Sequence, residues 1–283
     1  PRATSSHVKN GKNIPFMTVV TDLGEAHPWW FNKGLDQLVV PTEAMKEQAQ
    51  TLGLKAEQVA VCGLPVREGF WDVEAATAER KRELKEKLGL DTELPIALLV
   101  GGGEGMGKLR EVAQGFFKHI PKEGQPAMQV VIVCGSNKEL QKSLSKEAES
   151  APGAKAGMVY SVQGFVNNMD EWMQASTVIV TKAGPGTIAE ACCCGLPILL
   201  YDFLAGQEEG NVTFVKENGL GEWLPEAKKV AQRAGEVVAD PALLEQYNEA
   251  CRKNARPRAA LDIAENTKRL ILERWTGDEE EEG

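Results

Sequence analysis

The chain has 283 residues, of which 42% are hydrophobic and 26% charged, the make-up of a folded protein with length for one large α/β domain or two smaller ones. Its net charge of −9 leaves no excess of cations to neutralise phosphates, which argues against a nucleic-acid partner; a local basic patch facing a membrane stays open. No apolar run approaches the roughly eighteen residues of a spanning helix.

The elements alternate from the start. "IPFMTVVT" (Ile14 to Thr21) and "QLVVP" (Gln37 to Pro41) read as strands, and Thr42 is an apt N-cap for the helix that ends at Gly53. "QVAVCGLP" is a third strand, "VREGFW" reads as a linker, and a charged helix runs from Glu74 to Leu88. A second series opens with "LPIALLV", the glycine loop "GGGEGMG" (Gly101 to Gly107) and a helix to about His119. Strands "AMQVVIVCG", "GMVYSVQGF", "TVIVT" and "LPILLYDF" follow, each handing on to a helix, with helices alone after the last. The final helix starts near Pro257 and is amphipathic.

This rhythm predicts parallel sheets with right-handed crossovers and ligands at the carboxyl ends of the strands. We place a first domain at residues 1–71, a second at 72–256, a long C-terminal helix at 257–276 and an acidic disordered tail at 277–283. Pro1 is no initiator methionine, so the chain reads as a fragment or processed form. The six cysteines contain no C-x-x-C pair and read as reduced thiols, Cys192 to Cys194 as small residues packing a helix rather than as a metal or redox site.

Two glycine corners stand at strand ends. In "VTKAGPGTIAEA" a strand passes through Gly184, Pro185 and Gly186 into a helix. Backbone N–H groups at a helix start, together with the dipole, favour an anion, and glycine lets a phosphate approach. Thr187 adds a hydroxyl, and Glu190, one turn on, suits the two hydroxyls of a ribose. The same residues also suit a tight turn with glycines for packing. "DFLAGQEEGN" places Gln207, Glu208 and Asn211 at another strand end, where amides and a carboxylate suit sugar hydroxyls or an ordinary polar helix start. "VTDLGEAHPWWF" sets Asp22 and His27 beside Trp29, Trp30 and Phe31; Asp and His form either an orienter–base pair or structural contacts, and the aromatics face a lipid or pack. Three scattered histidines and no D-x-D pair suggest neither a metal site nor a metal cofactor.

Taken together, "VTDLGEAHPWWF", "VCGLPVREGF", "LLVGGGEGMG", "VTKAGPGTIAEA", "GLPILL" and "AGQEEGNV" closely resemble, in order and spacing, the plant and algal monogalactosyldiacylglycerol synthases. These are akin to the bacterial lipid II glycosyltransferases. The resemblance covers about Ile14 to Leu272. It implies a GT-B type α/β fold with Rossmann-like sheets, a complete C-terminal domain and a partial N-terminal one. The implied activity is inverting transfer of galactose from UDP-galactose to the free hydroxyl of diacylglycerol at a plastid (chloroplast) envelope membrane, with the membrane surface and its anionic lipids among the implied partners. Carried over by position, Gly102 and Gly103 line the nucleotide side and the backbone of Phe165 and Val166 holds uracil. Gly184, Gly186 and Thr187 take the diphosphate, Glu190 the ribose, and Gln207 and Glu208, with Asn211 nearby, the galactose. The family's Gly-Gly-His loop does not occur here, so no catalytic base is assigned, and Asp22 and His27 stand as the candidates. The alternatives are a nucleotide-sugar-binding remnant and a UDP-glucose-dependent lipid glycosyltransferase.

Overall fold

The computed structural model describes residues 8–9, 12–24, 26–73, 77–101 and 108–280. The chain divides into two compact units, one made of Pro1–Val66 with Arg256–Gly283 and the other of Arg67–Ala255. The border therefore falls at Val66 rather than Trp71, and the C-terminal segment groups with the first unit instead of standing alone.

The first unit opens with a short antiparallel ribbon, β1 (Val8–Lys9) and β2 (Lys12–Asn13), which no sequence pattern announces. Next come β3 (Met17–Val19), β4 (Gln37–Val40) and β5 (Val59–Val61), paired in parallel in that order. The central strand β4 (Gln37-Leu38-Val39-Val40) is buried along its whole length, with a paired neighbour on each side. Helix α1 (Glu43–Thr51) starts where expected: the Thr42 hydroxyl accepts the Met45 N–H at 3.3 Å. Its Met45 and Ala49 pack with Leu38, Val40 and Phe31.

The second unit holds α2 (Ala78–Lys87), β6 (Ile96–Val100), α3 (Leu109–Lys118), β7 (Gln129–Val133), α4 (Lys138–Glu149) and β8 (Val159–Gln163). Then follow α5 (Met169–Ala175), β9 (Val178–Lys182), α6 (Pro185–Cys193), β10 (Ile198–Asp202), α7 (Glu209–Glu217), β11 (Gly221–Trp223), α8 (Ala227–Ala239) and α9 (Pro241–Asn254). Six strands form one sheet in the order β11-β10-β9-β6-β7-β8, every pairing parallel. Strands β6 and β7 are buried throughout, so their near-continuous apolar runs are those of a sheet covered on both faces. Phe116 and Val112 of α3 and Val230 and Ala234 of α8 join Ala97, Leu99, Val130 and Ile132 in one core.

Two expectations change. The α2 helix begins at Ala78, with Thr77 as its cap, and 74–76 lie outside the described residues. The stretch after β10 contains a further strand, β11, because three residues are too few to show a period.

The last helix, α10 (Ala259–Glu280), belongs with the first unit. Asn266 of α10 accepts from Gln37 Nε2 at 3.2 Å and donates to Cys62 Sγ at 3.5 Å. The helix continues through residues 277–280, which we expected to be disordered: glutamate is a good helix former, so the acidic run extends the helix it follows. Residues 281–283 lie outside the described residues. No disulfide joins any of the six cysteines, and burial pushes the Cys194 thiol well above its ordinary value.

Candidate functional site

Sheet order brings the candidate residues together. From β6 the chain moves outward through β7 and β8, then returns to β9 on the other side of β6 and continues to β10 and β11. The order thus reverses between β6 and β9, and at such a switch point the loops leaving the two strands part and leave a crevice at the carboxyl edge. Both glycine corners arise there, since Val100 pairs with Thr181 just before each corner begins. Gly102 and Gly103 lie outside the described residues.

The second corner is fully placed. Ala183 donates its N–H to Asp202 O at 2.8 Å, and its carbonyl accepts from the Asn211 side-chain amide at 3.0 Å. Gly184 caps α6 with φ −69° and ψ 125°, and Pro185 occupies the first turn. No side chain caps this helix, so the N–H groups of Gly186 and Thr187 are left to outside partners. Pro185 fits because its absent N–H would be an orphan there.

The two glycines have no internal explanation. The Gly184 backbone angles suit any residue, and a Cβ built there would lie 3.8 Å from Glu208 Oε1 and 3.9 Å from both Lys182 Nζ and Thr187 Oγ1. A Cβ on Gly186 would meet nothing within 4 Å. Neither turn geometry nor packing requires glycine at either position, which leaves the approach of something from outside.

Glu190 is 8% exposed, and both of its carboxylate oxygens are held by Arg67, at 2.7 Å from Nε and 2.9 Å from Nη2. That bond in turn raises the Arg67 pKa. The Arg67 guanidinium lies 5.4 Å over the ring of buried Phe70. The linker reading of "VREGFW" missed Arg67; its partner is far along the chain, and only its place in a family motif marked it.

The α7 start is equally organised. Glu208 is buried: its Oε1 pairs with Lys182 Nζ at 2.6 Å and its Oε2 accepts the Leu204 N–H at 2.8 Å. Gln207 beside it is exposed. Asn211, expected among the sugar ligands, is 1% exposed, and its side-chain amide donates to the Ala183 carbonyl at the corner. Lys108, at the start of α3, sits 3.9 Å from Asp202, so a further cation stands on this edge.

Phe165 and Val166 follow β8 on the same carboxyl edge, with β6 and β7 between them and β9; the Phe165 ring is 73% exposed. In the first unit, Nδ1 of exposed His27 accepts the Trp29 N–H at 3.3 Å and so caps the turn Pro28–Trp30. Asp22 is partly buried. The aromatic trio divides: Phe31 is core, whereas Trp29 and Trp30 are 86% and 56% exposed. A concavity of about 600 Å³ between α3 and α8 is lined by none of the candidate residues.

Comparison with known proteins agrees with this layout. The glycosyltransferase family 28 C-terminal domain matches residues 96–270, and the monogalactosyldiacylglycerol (MGDG) synthase model matches residues 4–66. A probable chloroplastic monogalactosyldiacylglycerol synthase of Glycine max is 40% identical over 266 residues, covering 93% of this chain and 48% of the relative. The chloroplastic monogalactosyldiacylglycerol synthase of Spinacia oleracea is 39% identical, over 93% of this chain and 49% of the relative. The chain thus spans about half the length of these curated relatives. Among solved structures, Acinetobacter baumannii MurG matches 90% of this chain and 68% of its own, with TM-score 0.62 and 14% identity. S. aureus MnaA, solved with UDP, matches 84% of this chain and 61% of its own, with TM-score 0.59 and 18% identity. These two likenesses carry the fold alone, which is α/β with parallel sheets, of the GT-B type expected from the motifs.

Proposed function

Since the chain belongs to glycosyltransferase family 28, we propose that its α6 corner holds the diphosphate of UDP-galactose and that it serves to move galactose onto the free hydroxyl of diacylglycerol, giving monogalactosyldiacylglycerol. The observation that carries this reading is the pair of glycines at the uncapped start of α6, open above and placed beside the sheet's switch point. An anion seated there accepts from the N–H groups of Gly186 and Thr187 and meets the positive end of the helix dipole. The charge of the leaving UDP is met by backbone and by nearby cations, with no metal cofactor required.

Glu190 then takes the ribose hydroxyls. Arg67 is its positioning partner: the fork fixes the carboxylate plane. The backbone of Phe165 and Val166 takes uracil, and Gln207 and Glu208 take the galactose. The lipid hydroxyl attacks the anomeric carbon on the face opposite the diphosphate, which inverts the configuration. The carbon–oxygen electron pair leaves with UDP, and the proton lost by the attacking hydroxyl goes to a general base to which no residue is assigned. Two exposed tryptophans, Trp29 and Trp30, on the unit that matches the MGDG synthase model, suit an interfacial contact with the lipid. No helix among the described residues is long and apolar enough to cross a membrane. That the relatives are chloroplastic supports a plastid envelope membrane as the site of action.

The test is calorimetric titration of the chain with UDP in the presence of a chelator, beside Glu190→Ala. The wild-type chain binds, and the variant binds about tenfold or more weakly, the loss expected for two charge-assisted hydrogen bonds. Arg67 is 58% exposed on its side chain, so water takes over its charge when Glu190 is removed and the fold is not the cause. Wild-type affinity in the variant would remove Glu190 from the site. Competition of UDP-galactose and UDP-glucose against bound UDP then reads the donor.

A further inference from the structure

Lys182 is the last residue of β9, and its ammonium is the nearest cation to the open space above Gly184. It is bound to Glu208 at 2.6 Å, and Glu208 is otherwise held by the Leu204 N–H. Nζ of Lys182, Oε1 of Glu208 and Oγ1 of Thr187 all lie 3.8–3.9 Å from the point where a Gly184 side chain would start. A carboxylate and an ammonium therefore border the space in which the functional reading seats a diphosphate. The two make opposite contributions there. The lysine attracts the phosphate, whereas Glu208 repels it and holds the lysine back.

The geometry points to Lys182 as the diphosphate-reading cation, stored on Glu208 while the site is empty and shared with, or released to, the phosphate when nucleotide binds. The inference rests on the functional reading above and adds a residue to it. Exchange has a consequence for the sugar. As the ammonium turns to the phosphate, an oxygen of Glu208 becomes available to accept a hydroxyl, so the diphosphate and sugar subsites fill together. The bridge is also suited to exchange, because the Lys182 side chain is 36% exposed and the Glu208 side chain 10%. The long flexible lysine is the partner that moves, and the buried carboxylate stays on the Leu204 N–H.

The experiment is UDP titration by calorimetry on the whole chain and on Lys182→Ala, Lys182→Arg, Glu208→Gln and the double variant Lys182→Ala/Glu208→Gln, with uridine as a competitor lacking phosphate. Lys182→Ala weakens UDP about tenfold or more while leaving uridine unchanged, and Lys182→Arg restores most of the loss. Glu208→Gln tightens UDP at least about twofold, because a repelling charge and a competitor for the lysine are both gone. The double variant leaves no buried carboxylate unpaired, so it keeps the fold and still binds UDP as weakly as Lys182→Ala. A purely structural bridge gives a different pattern: both single variants weaken UDP and the double variant recovers wild-type affinity. That pattern, or wild-type affinity in Lys182→Ala, overturns this inference and leaves the functional reading standing. No UDP binding by the wild-type chain overturns both.

Discussion

At the scale of single residues, the candidate site is a question of what stands next to an empty volume. Gly184 decides it most directly. Alanine there has ordinary backbone angles and ordinary contact distances, so Gly184→Ala should shift stability by no more than about 1 kcal/mol in a denaturant melt. The same methyl fills the space offered to a phosphate, so UDP affinity should drop about tenfold or more by calorimetry. A variant that binds as well as wild type would return the glycine to being a mere turn residue. The glycines, Thr187 and Glu190 were legible in the sequence because they lie within one strand-to-helix corner, where chemistry and spacing are written consecutively. Arg67 was not, because 123 residues separate it from Glu190 and no local pattern links them.

At the scale of elements, β11 shows how a strand too short to have a period is held in place. Its Gly221 lies where a Cβ would be 1.8 Å from the Ile198 carbonyl oxygen, so the pairing with β10 needs glycine at this close approach. The next residue, Glu222, binds the Arg233 fork of α8, with the shortest contact at 2.6 Å, and the Tyr247 hydroxyl of α9 at 2.8 Å. Burial pushes the Glu222 carboxyl up, but the bonds from Arg233 and Tyr247 outweigh it and hold the carboxyl below its ordinary value of 4.5. Burial and the same carboxylate push the Tyr247 hydroxyl up to about 12. A carboxyl with a depressed folded pKa stabilises fully above its unfolded pKa and loses that contribution as pH falls through the folded value. Wild-type stability should therefore decline below about pH 4.5 in denaturant melts taken at stepped pH. Glu222→Gln should cost about 1–2 kcal/mol at pH 7 and show a shallower acid decline. Equal slopes in the two proteins would exclude Glu222 as a contributor.

At the scale of the whole molecule, the chain leaves its first unit at Val66 and returns to it at Arg256. The return matters locally: Ala259 is fully buried, a Cβ on Gly63 would meet the Arg256 side chain at 2.4 Å, and Asn266 bridges Gln37 and Cys62. Truncation after Ala255 should therefore strip hydrogen-exchange protection from β3, β4 and β5 while β6, β7 and β9 keep theirs, since the second unit has its own core. Equal protection in both sheets would show that α10 is dispensable to the first. The domain limits drawn from composition missed this return, because a helix's amphipathic face announces that it packs and not against what.

By itself the sequence determined the alternation of strands and helices, the parallel character of both larger sheets, and the glycine-lined strand-to-helix corner at Gly184. Those properties follow from backbone preference, side-chain period and cap residues within a few consecutive positions. Only the tertiary structure decided that β6 neighbours β9, that Arg67 holds Glu190, that Lys182 is bound to Glu208, and that α10 completes the first unit. Each of these joins residues distant in the chain, and such pairs are chosen by which apolar faces bury one another and which charges meet once they have done so.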